Sequence, residues 1–189
     1  MPTLIALLAL QSAQAASNER NAAATLKTFA SASADFRAND RDGNRINDFW
    51  VGDVSGLYRI DPGDGAIKLI EISAAAADAK PCVPLDKAGA LGSTKLVAVP
   101  GGAATKAGYR YAAVPKYQPD EGPGKPYDEG GGRCPAKFAF CAWPAEHGPG
   151  GTATFLITEE NIIWKRNTGG QAVTVVPRDP ASQGWTRLD

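Results

Sequence analysis

Four oxygen-bearing side chains follow one another at short intervals between residues 40 and 48: Asp40, Asp42, Asn44 and Asp48. Carboxylate and amide groups at alternating positions are typical of loops that curl around Ca²⁺, because every second side chain then faces one hard cation. Arg45 stands where such a loop uses glycine for its turn, and no glutamate occupies the twelfth position. The same residues are also typical of a solvated turn at a helix end. The pattern therefore predicts either a calcium site or such a turn.

Residue types that support catalysis are few along the rest of the chain. His147 is the single histidine, so a catalytic triad or a His-rich metal site would have to use it, and a packing or hydrogen-bonding role explains it as well. Cys82, Cys134 and Cys141 form no C-x-x-C pair, which argues against zinc or thioredoxin-type chemistry. The sequence has no G-x-S-x-G elbow and no glycine loop followed by Lys and Ser or Thr. It therefore predicts a non-enzymatic protein, with no cofactor other than the Ca²⁺ considered above.

The charge balance excludes a further class of partner. The chain has 20 Lys and Arg residues and 20 Asp and Glu residues, which gives a formal net charge of +0 at pH 7. It has no basic cluster of the kind that tracks phosphate groups. We therefore expect no nucleic-acid partner and no electrostatic attraction to an anionic membrane surface.

The longest predicted element lies at the N-terminus. Residues 3–39 contain no Gly and no Pro and are rich in Ala, the residue with the best helix propensity. Leu26, Phe29 and Phe36 recur at helical spacing and give one narrow apolar face. A helix over residues 3–38 would be about 54 Å long, more than an ordinary globular helix needs. We expect residues 1–38 to project as a helix from a globular domain formed by residues 39–189.

The first residues of this helix are apolar nearly all round. Leu4, Ile5, Leu7 and Leu8 belong to a run that is too short to span a bilayer, which takes about 20 residues. One interpretation is an anchor or assembly segment that continues into the helix. The other is a secretory signal peptide cleaved after residue 15, where the sequence reads A-Q-A. Both interpretations place the protein outside the cytoplasm.

Extended segments dominate the C-terminal half. Their apolar patterns predict strands at residues 109–114, 137–143, 152–158 and 162–166, with a hairpin turn at 159–161. A short helix is predicted within residues 66–79, and the Gly- and Pro-rich residues 117–133 are predicted as a long loop. A helix followed by a run of strands predicts the α+β class. We expect the long helix to pack on a roughly four-stranded antiparallel sheet with long loops.

The start of the helix resembles that of a protein family. Thr3-Leu4-Ile5-Ala6-Leu7-Leu8 is similar to the beginning of mature type IV pilins and type II secretion pseudopilins, where Thr-Leu-Ile-Glu-Leu-Leu opens a long half-exposed helix. Ala6 stands where those families carry Glu. The resemblance implies a pilin-like fold and self-association, or association with other pilin-like subunits, with membrane anchoring as a further role of the helix. The residues that would form this assembly helix are Leu4, Ile5, Leu7, Leu8, Leu26 and Phe29.

A second resemblance covers the C-terminal half. Residues 138–148 read F-A-F-C-A-W-P-A-E-H-G. They are similar to an uncharacterised family of exported bacterial proteins with the pattern Phe-Ala-x-x-Ala-Tyr-Pro-Ala-Glu-Tyr-Gly, followed by Thr-Phe and a strand pair. In that pattern Cys141 occupies a small apolar position, which implies a buried free thiol. Since exported proteins tend to pair their cysteines, Cys82 and Cys134, each beside a proline, are predicted to form a disulfide.

Together these features predict a non-enzymatic pilin-like or pseudopilin-like subunit of the cell envelope, of an extracellular filament or of a secretion apparatus. The alternative is a secreted or periplasmic binding module with a cleaved signal peptide. In that case, aromatic side chains would line a glycan or peptide surface. The aromatic candidates are Trp50, Tyr58, Trp143 and Trp164.

Overall fold

The long N-terminal helix is continuous in the computed structural model, which describes residues 4–63 and 67–188. Helix α1 spans Leu4–Ala38. It ends where Asp40 adopts a left-handed backbone conformation (φ 47°) and Gly43 follows with a φ of 69°, because these conformations cannot continue a right-handed helix. Its C-terminal half buries one apolar face, formed by Ala22, Ala23, Leu26, Phe29, Ala30, Ala32 and Phe36.

Short elements follow α1 along the rest of the described chain. The helices are α2 (Gly56–Arg59) and α3 (Ile72–Ala76), and a 3₁₀ turn spans Ala181–Gln183. The strands are β1 (Phe49–Trp50), β2 (Gly89–Leu91), β3 (Thr94–Leu96), β4 (Tyr109–Ala113), β5 (Lys116–Tyr117), β6 (Lys125–Pro126), β7 (Arg133–Cys134), β8 (Ala139–Pro144), β9 (Thr154–Thr158), β10 (Ile163–Arg166), β11 (Val175–Val176) and β12 (Thr186–Arg187).

Among the described residues, the main sheet has five antiparallel strands in the order β12-β10-β9-β8-β4. In its register Cys141 of β8 lies opposite Ala112 of β4 on one side and Leu156 of β9 on the other. Both β8 and β9 are buried along almost their whole length. Burial of both faces explains why their sequences are nearly continuously apolar rather than alternating.

The C-terminal half of α1 packs across this sheet. Phe29 makes edge-to-face contacts with Tyr111 of β4 and Phe140 of β8, at centroid distances of 5.4 and 5.6 Å. Such aromatic pairs contribute about 0.5–1.5 kcal/mol each beyond their area burial. Part of the core therefore lies between one face of α1 and one face of the sheet.

The α+β class predicted from the sequence is confirmed, and the four predicted strands correspond to β4, β8, β9 and β10. The sheet also has a fifth strand, β12, in a segment for which the sequence pattern predicts no strand. The predicted loop at residues 117–133 begins in a small sheet in which β5 pairs with β6 and with β11. The helix predicted within residues 66–79 is only α3, and residues 64–66 lie outside the described chain.

Candidate functional site

We call the N-terminal part of α1, residues 4–17, the arm. Residues 6–14 are all exposed. Among them Leu7, Leu8 and Leu10 expose 46%, 56% and 68% of their surface. Of the other predicted assembly residues, Leu26 and Phe29 are fully buried in this chain's own core. The side chains of Leu4 and Ile5 lie outside the described residues.

The arm leaves the domain at a defined point. Asn18 donates from Nδ2 to the Gly150 carbonyl at 3.0 Å. One residue later, Glu19 accepts hydrogen bonds through Oε1 from the backbone N–H groups of Thr152 (2.9 Å) and Ala153 (3.2 Å). These contacts fix the helix to the turn before β9, so the direction of the arm is set by the domain. Within the described residues, no helix combines the length and the apolarity that a bilayer span requires.

The predicted calcium loop brings its acidic side chains together around an arginine. Asn44 donates from Nδ2 to Asp42 (3.1 Å) and to Asp48 (3.3 Å). The guanidinium of Arg133, which is 91 positions along the chain from Asp42, forms a hydrogen-bonded ion pair with Asp42 Oδ2. Its Nε lies 3.9 Å from Asp48 Oδ1. The loop is therefore held by a cation that the chain itself supplies.

Two carboxylate oxygens of this loop nevertheless lack a hydrogen-bond donor among the described residues. Oδ1 of Asp40 and Oδ1 of Asp48 are both buried without a hydrogen-bond partner. Burial, and next the nearby charges of Asp42 and Asp40, raise the pKa of Asp48, whereas Asn44 and Arg133 lower it. Across residues 4–63 and 67–188, no group of three or more His, Cys, Asp or Glu side chains is arranged to hold a metal ion. Calcium binding at this loop stays a prediction.

The cysteines are unpaired in the structure. Cys82 donates from Sγ to the Gly52 carbonyl at 2.9 Å, and Cys134 is buried in β7 opposite Phe49 of β1. The predicted Cys82–Cys134 disulfide is therefore not formed here, and the pairing stays a prediction. Cys141 is buried in the centre of the sheet, and burial raises the pKa of its thiol to about 12. A thiol with such a pKa is a poor nucleophile at neutral pH.

A second acidic group, which sequence reasoning missed, lies inside the domain beside Trp50. Asp53 is fully buried. Its Oδ1 accepts from Trp50 Nε1 at 3.0 Å and from the Gly56 N–H at 2.6 Å. Its Oδ2 accepts from Ser55 Oγ at 3.0 Å and from the Cys82 N–H at 2.9 Å. The Asp53-x-Ser55-Gly56 pattern is typical of a side-chain-capped turn and was the only local signal for this group.

Asp78 joins the same network through Ser55. It is 2% exposed, and its two oxygens accept from the backbone N–H groups of Ser55 (2.7 Å) and Lys80 (2.9 Å). Burial, and next the charge of Asp53, raise the pKa of Asp78 to about 7. Asp78 also lines an open cavity of about 580 Å³, together with Arg110. Donors within the chain already occupy both carboxylate oxygens of Asp78. Asp53 and Asp78 therefore join residues 50–56 to residues 78–82.

A buried arginine was also missed. Arg59 of α2 is fully buried and donates to the carbonyl groups of Val97 (2.6 Å), Val83 (2.7 Å), Pro84 (3.1 Å) and Lys87 (2.7 Å). Each donor of a buried guanidinium needs an acceptor. Arg59 therefore holds the loop after α3 in place.

Comparison with known families gives one result. The model of the family described as "Protein of unknown function (DUF2950)" matches residues 9–182. The chain belongs to this family. Membership in DUF2950 agrees with the expected resemblance to an uncharacterised family, whereas a relation to pilins stays a proposal. No curated protein and no solved structure matches the chain.

The DUF2950 match contains most of α1, the acidic loop and the buried network around Asp53. It also contains His147, whose exposed ring lies with Nε2 3.0 Å from Asn167 Oδ1. That arrangement is a surface hydrogen bond between two loops. It agrees with the hydrogen-bonding role considered for this histidine.

Proposed function

We propose that this DUF2950 protein is a non-enzymatic, pilin-like or pseudopilin-like subunit of the cell envelope, of an extracellular filament or of a secretion apparatus. The observation that carries the proposal is the division of α1. One half packs on an antiparallel sheet, and the other half projects as an uncovered apolar arm. In this proposal the arms of neighbouring subunits pack against one another.

The composition of the arm supports association. The first charged side chain of the sequence is Glu19, so the arm has no charged face of the kind that keeps a surface helix in water. Covering an exposed leucine contributes about 1.5–3 kcal/mol, and three leucines of the arm are about half exposed or more. Packing of the arms of neighbouring subunits therefore removes this apolar surface from water.

A triple variant tests the role of the arm. Leu7→Gln, Leu8→Gln and Leu10→Gln together should convert an oligomeric protein into a monomer, as measured by light scattering after size-exclusion chromatography. The thermal unfolding of the domain should stay unchanged, because these side chains are exposed and do not belong to the core of the described chain. The matched control replaces three exposed apolar residues of the domain with Gln, at Ile46, Ile72 and Val175.

Two results would contradict this function. One is a wild-type protein that stays monomeric at high concentration while mass spectrometry shows its first residues intact. The other is a mature protein from the native source that begins at Ala16. The second result would favour a secreted or periplasmic binding module.

A further inference from the structure

Residues 77–82, which we call the strap, run along one edge of the main sheet. In the described chain, β4 is the outermost strand at that edge. Its Tyr111 donates from the backbone N–H to the Ala77 carbonyl at 3.0 Å, and the Ala79 N–H donates to the Tyr111 carbonyl at 2.9 Å. Asp78, which lies between these two residues, forms a parallel bridge with Tyr111. The strap therefore covers backbone groups that an edge strand would otherwise leave unpaired.

Two buried carboxylates attach the strap to the rest of the domain. Asp78 accepts from the Ser55 N–H at 2.7 Å, and Asp53 accepts from the Cys82 N–H at 2.9 Å. Ser55 also donates from Oγ to Asp53 at 3.0 Å, so it links the two acids. Asp53 is fully buried and Asp78 is 2% exposed. These donors are uncharged, and the attachment thus places two acids together without an opposite charge.

The surroundings of Asp78 do not replace the missing positive charge. Burial raises the pKa of the Cys82 and Cys141 thiols to about 12, so both stay neutral. Arg110 and Asp86 line the cavity beside Asp78 with opposite charges, and both are exposed to water, which screens them. The titratable and charged groups near Asp78 are Asp53, Lys80, Cys82, Asp86, Arg110 and Cys141.

We propose that the strap is a pH-sensitive closure of this sheet edge, held on β4 while Asp78 is protonated and released when Asp78 becomes charged. A second buried charge beside Asp53 is unfavourable, because the donors around both acids are uncharged. Movement of the strap away from β4 brings Asp78 into water and breaks the two backbone hydrogen bonds with Tyr111. The outer edge of β4 is then free to pair with another strand. The proposal concerns the domain alone and does not rest on the assembly of arms.

Amide hydrogen exchange of the full chain, followed by NMR at several low urea concentrations, tests the proposal. The N–H groups of Ala79 and Tyr111 should exchange through a local opening that depends little on urea. The N–H of Val114, which donates to the Ala139 carbonyl of β8 at 2.9 Å, should exchange more slowly and with the urea dependence of global unfolding. Release of the strap also releases the proton of Asp78. After correction for intrinsic exchange, the opening equilibrium constant at Tyr111 should therefore rise about ten-fold from pH 5 to pH 6.

Two variants separate the role of Asp78 from other effects of pH. Asp78→Asn cannot release a proton, so its opening equilibrium at Tyr111 should not change between pH 5 and pH 6. Asp86→Asn removes an exposed carboxylate of the same cavity wall and should keep the ten-fold change. The proposal is overturned if Asp78→Asn keeps this change. The wild type decides it even if that variant does not fold: exchange at Tyr111 with the urea dependence of Val114, or an opening constant that does not rise with pH, overturns it.

Discussion

Two acidic groups lie near Trp50 in the described chain, the pair of Asp53 and Asp78 and the loop of Asp40, Asp42 and Asp48, and they compensate their charge by different means. On one side, Asp53 accepts a hydrogen bond from the indole N–H at 3.0 Å. It shares its network with Asp78, and the donors that surround the pair are uncharged. On the other side, the guanidinium of Arg133 lies 6.0 Å from the Trp50 ring centroid and forms an ion pair with Asp42.

This difference has physical consequences. Backbone N–H groups satisfy the lone pairs of a carboxylate but bring no net positive charge, so a buried pair lowers its charge by holding a proton. A guanidinium brings the opposite charge directly, but the arrangement then depends on one residue. The contribution of Asp53 and Asp78 to stability should therefore depend on pH. The contribution of the loop of Asp40, Asp42 and Asp48 should depend on Arg133.

The largest expected effect comes from removing the arginine. Asp42, Asp48 and Arg133 expose only 1%, 5% and 13% of their side chains. Arg133→Met would leave two buried carboxylates without their cation, and loss of one partner of a buried ion pair costs about 3–5 kcal/mol. The free energy of unfolding in urea should fall by this amount. Arg133→Lys keeps the charge but not the planar donor geometry. Its free energy of unfolding should therefore lie between those of the wild type and Arg133→Met.

Arg178→Met is the matched control for this substitution. Arg178 pairs with Asp120 on the surface, where the two side chains expose 61% and 87% of their area. Its loss should change stability by no more than about 0.5 kcal/mol. Equal effects of the two methionine variants would contradict the cation role of Arg133.

The acid pair around Asp53 should make stability depend on pH. The pKa of Asp78 is raised from 3.8 to about 7 in the folded protein. Between about pH 4 and pH 7 the unfolded chain loses this proton while the folded chain keeps it, so the free energy of unfolding should fall as pH rises. The slope from this single group is about 1.4 kcal/mol per pH unit. Below pH 4 and above pH 7 the group should contribute no slope.

Asp78→Asn isolates this contribution. The variant should lose that part of the slope between pH 4 and pH 7 in urea unfolding experiments. At pH 4 it should be less stable than the wild type, because one backbone donor loses its acceptor. This deficit should shrink as the pH rises to 7, since Asn carries no buried charge. Asp86→Asn, which removes an exposed carboxylate from the same cavity wall, should follow the wild-type pH dependence. An unchanged slope in Asp78→Asn would show that this carboxyl group does not hold the proton.

The main elements of the fold could be predicted because their signals are local. The Ala-rich segment without Gly or Pro became α1, and the apolar run at residues 137–143 became most of β8. Strand β12 could not be predicted, because two residues carry no pattern of their own. Thr186 and Arg187 are extended only because they pair with Lys165 and Trp164 of β10.

The acidic groups were predictable only in part, for a similar reason. The spacing of Asp40, Asp42 and Asn44 indicated that their oxygens would gather in one loop. It carried no information on Arg133, which reaches them from β7. Asp53 and Asp78 come from different segments, and only the folded chain brings both to Ser55. Charged groups that meet through long-range contacts leave no local pattern in a single sequence.

The smallest expected effect concerns Ca²⁺ binding at the loop of Asp40, Asp42 and Asp48. Ca²⁺ must compete with Arg133 for Asp42 and Asp48, so CaCl₂ should raise the Tm of the wild type by less than about 2 °C. In Arg133→Met the cation position is open, and the unpartnered oxygens of Asp40 and Asp48 remain. The same addition should then raise the Tm by more than about 4 °C, and EGTA should reverse it. NaCl at equal ionic strength controls for screening. Equal shifts in the two proteins would mean that Ca²⁺ binds elsewhere and that Arg133 does not occupy the position of a metal ion.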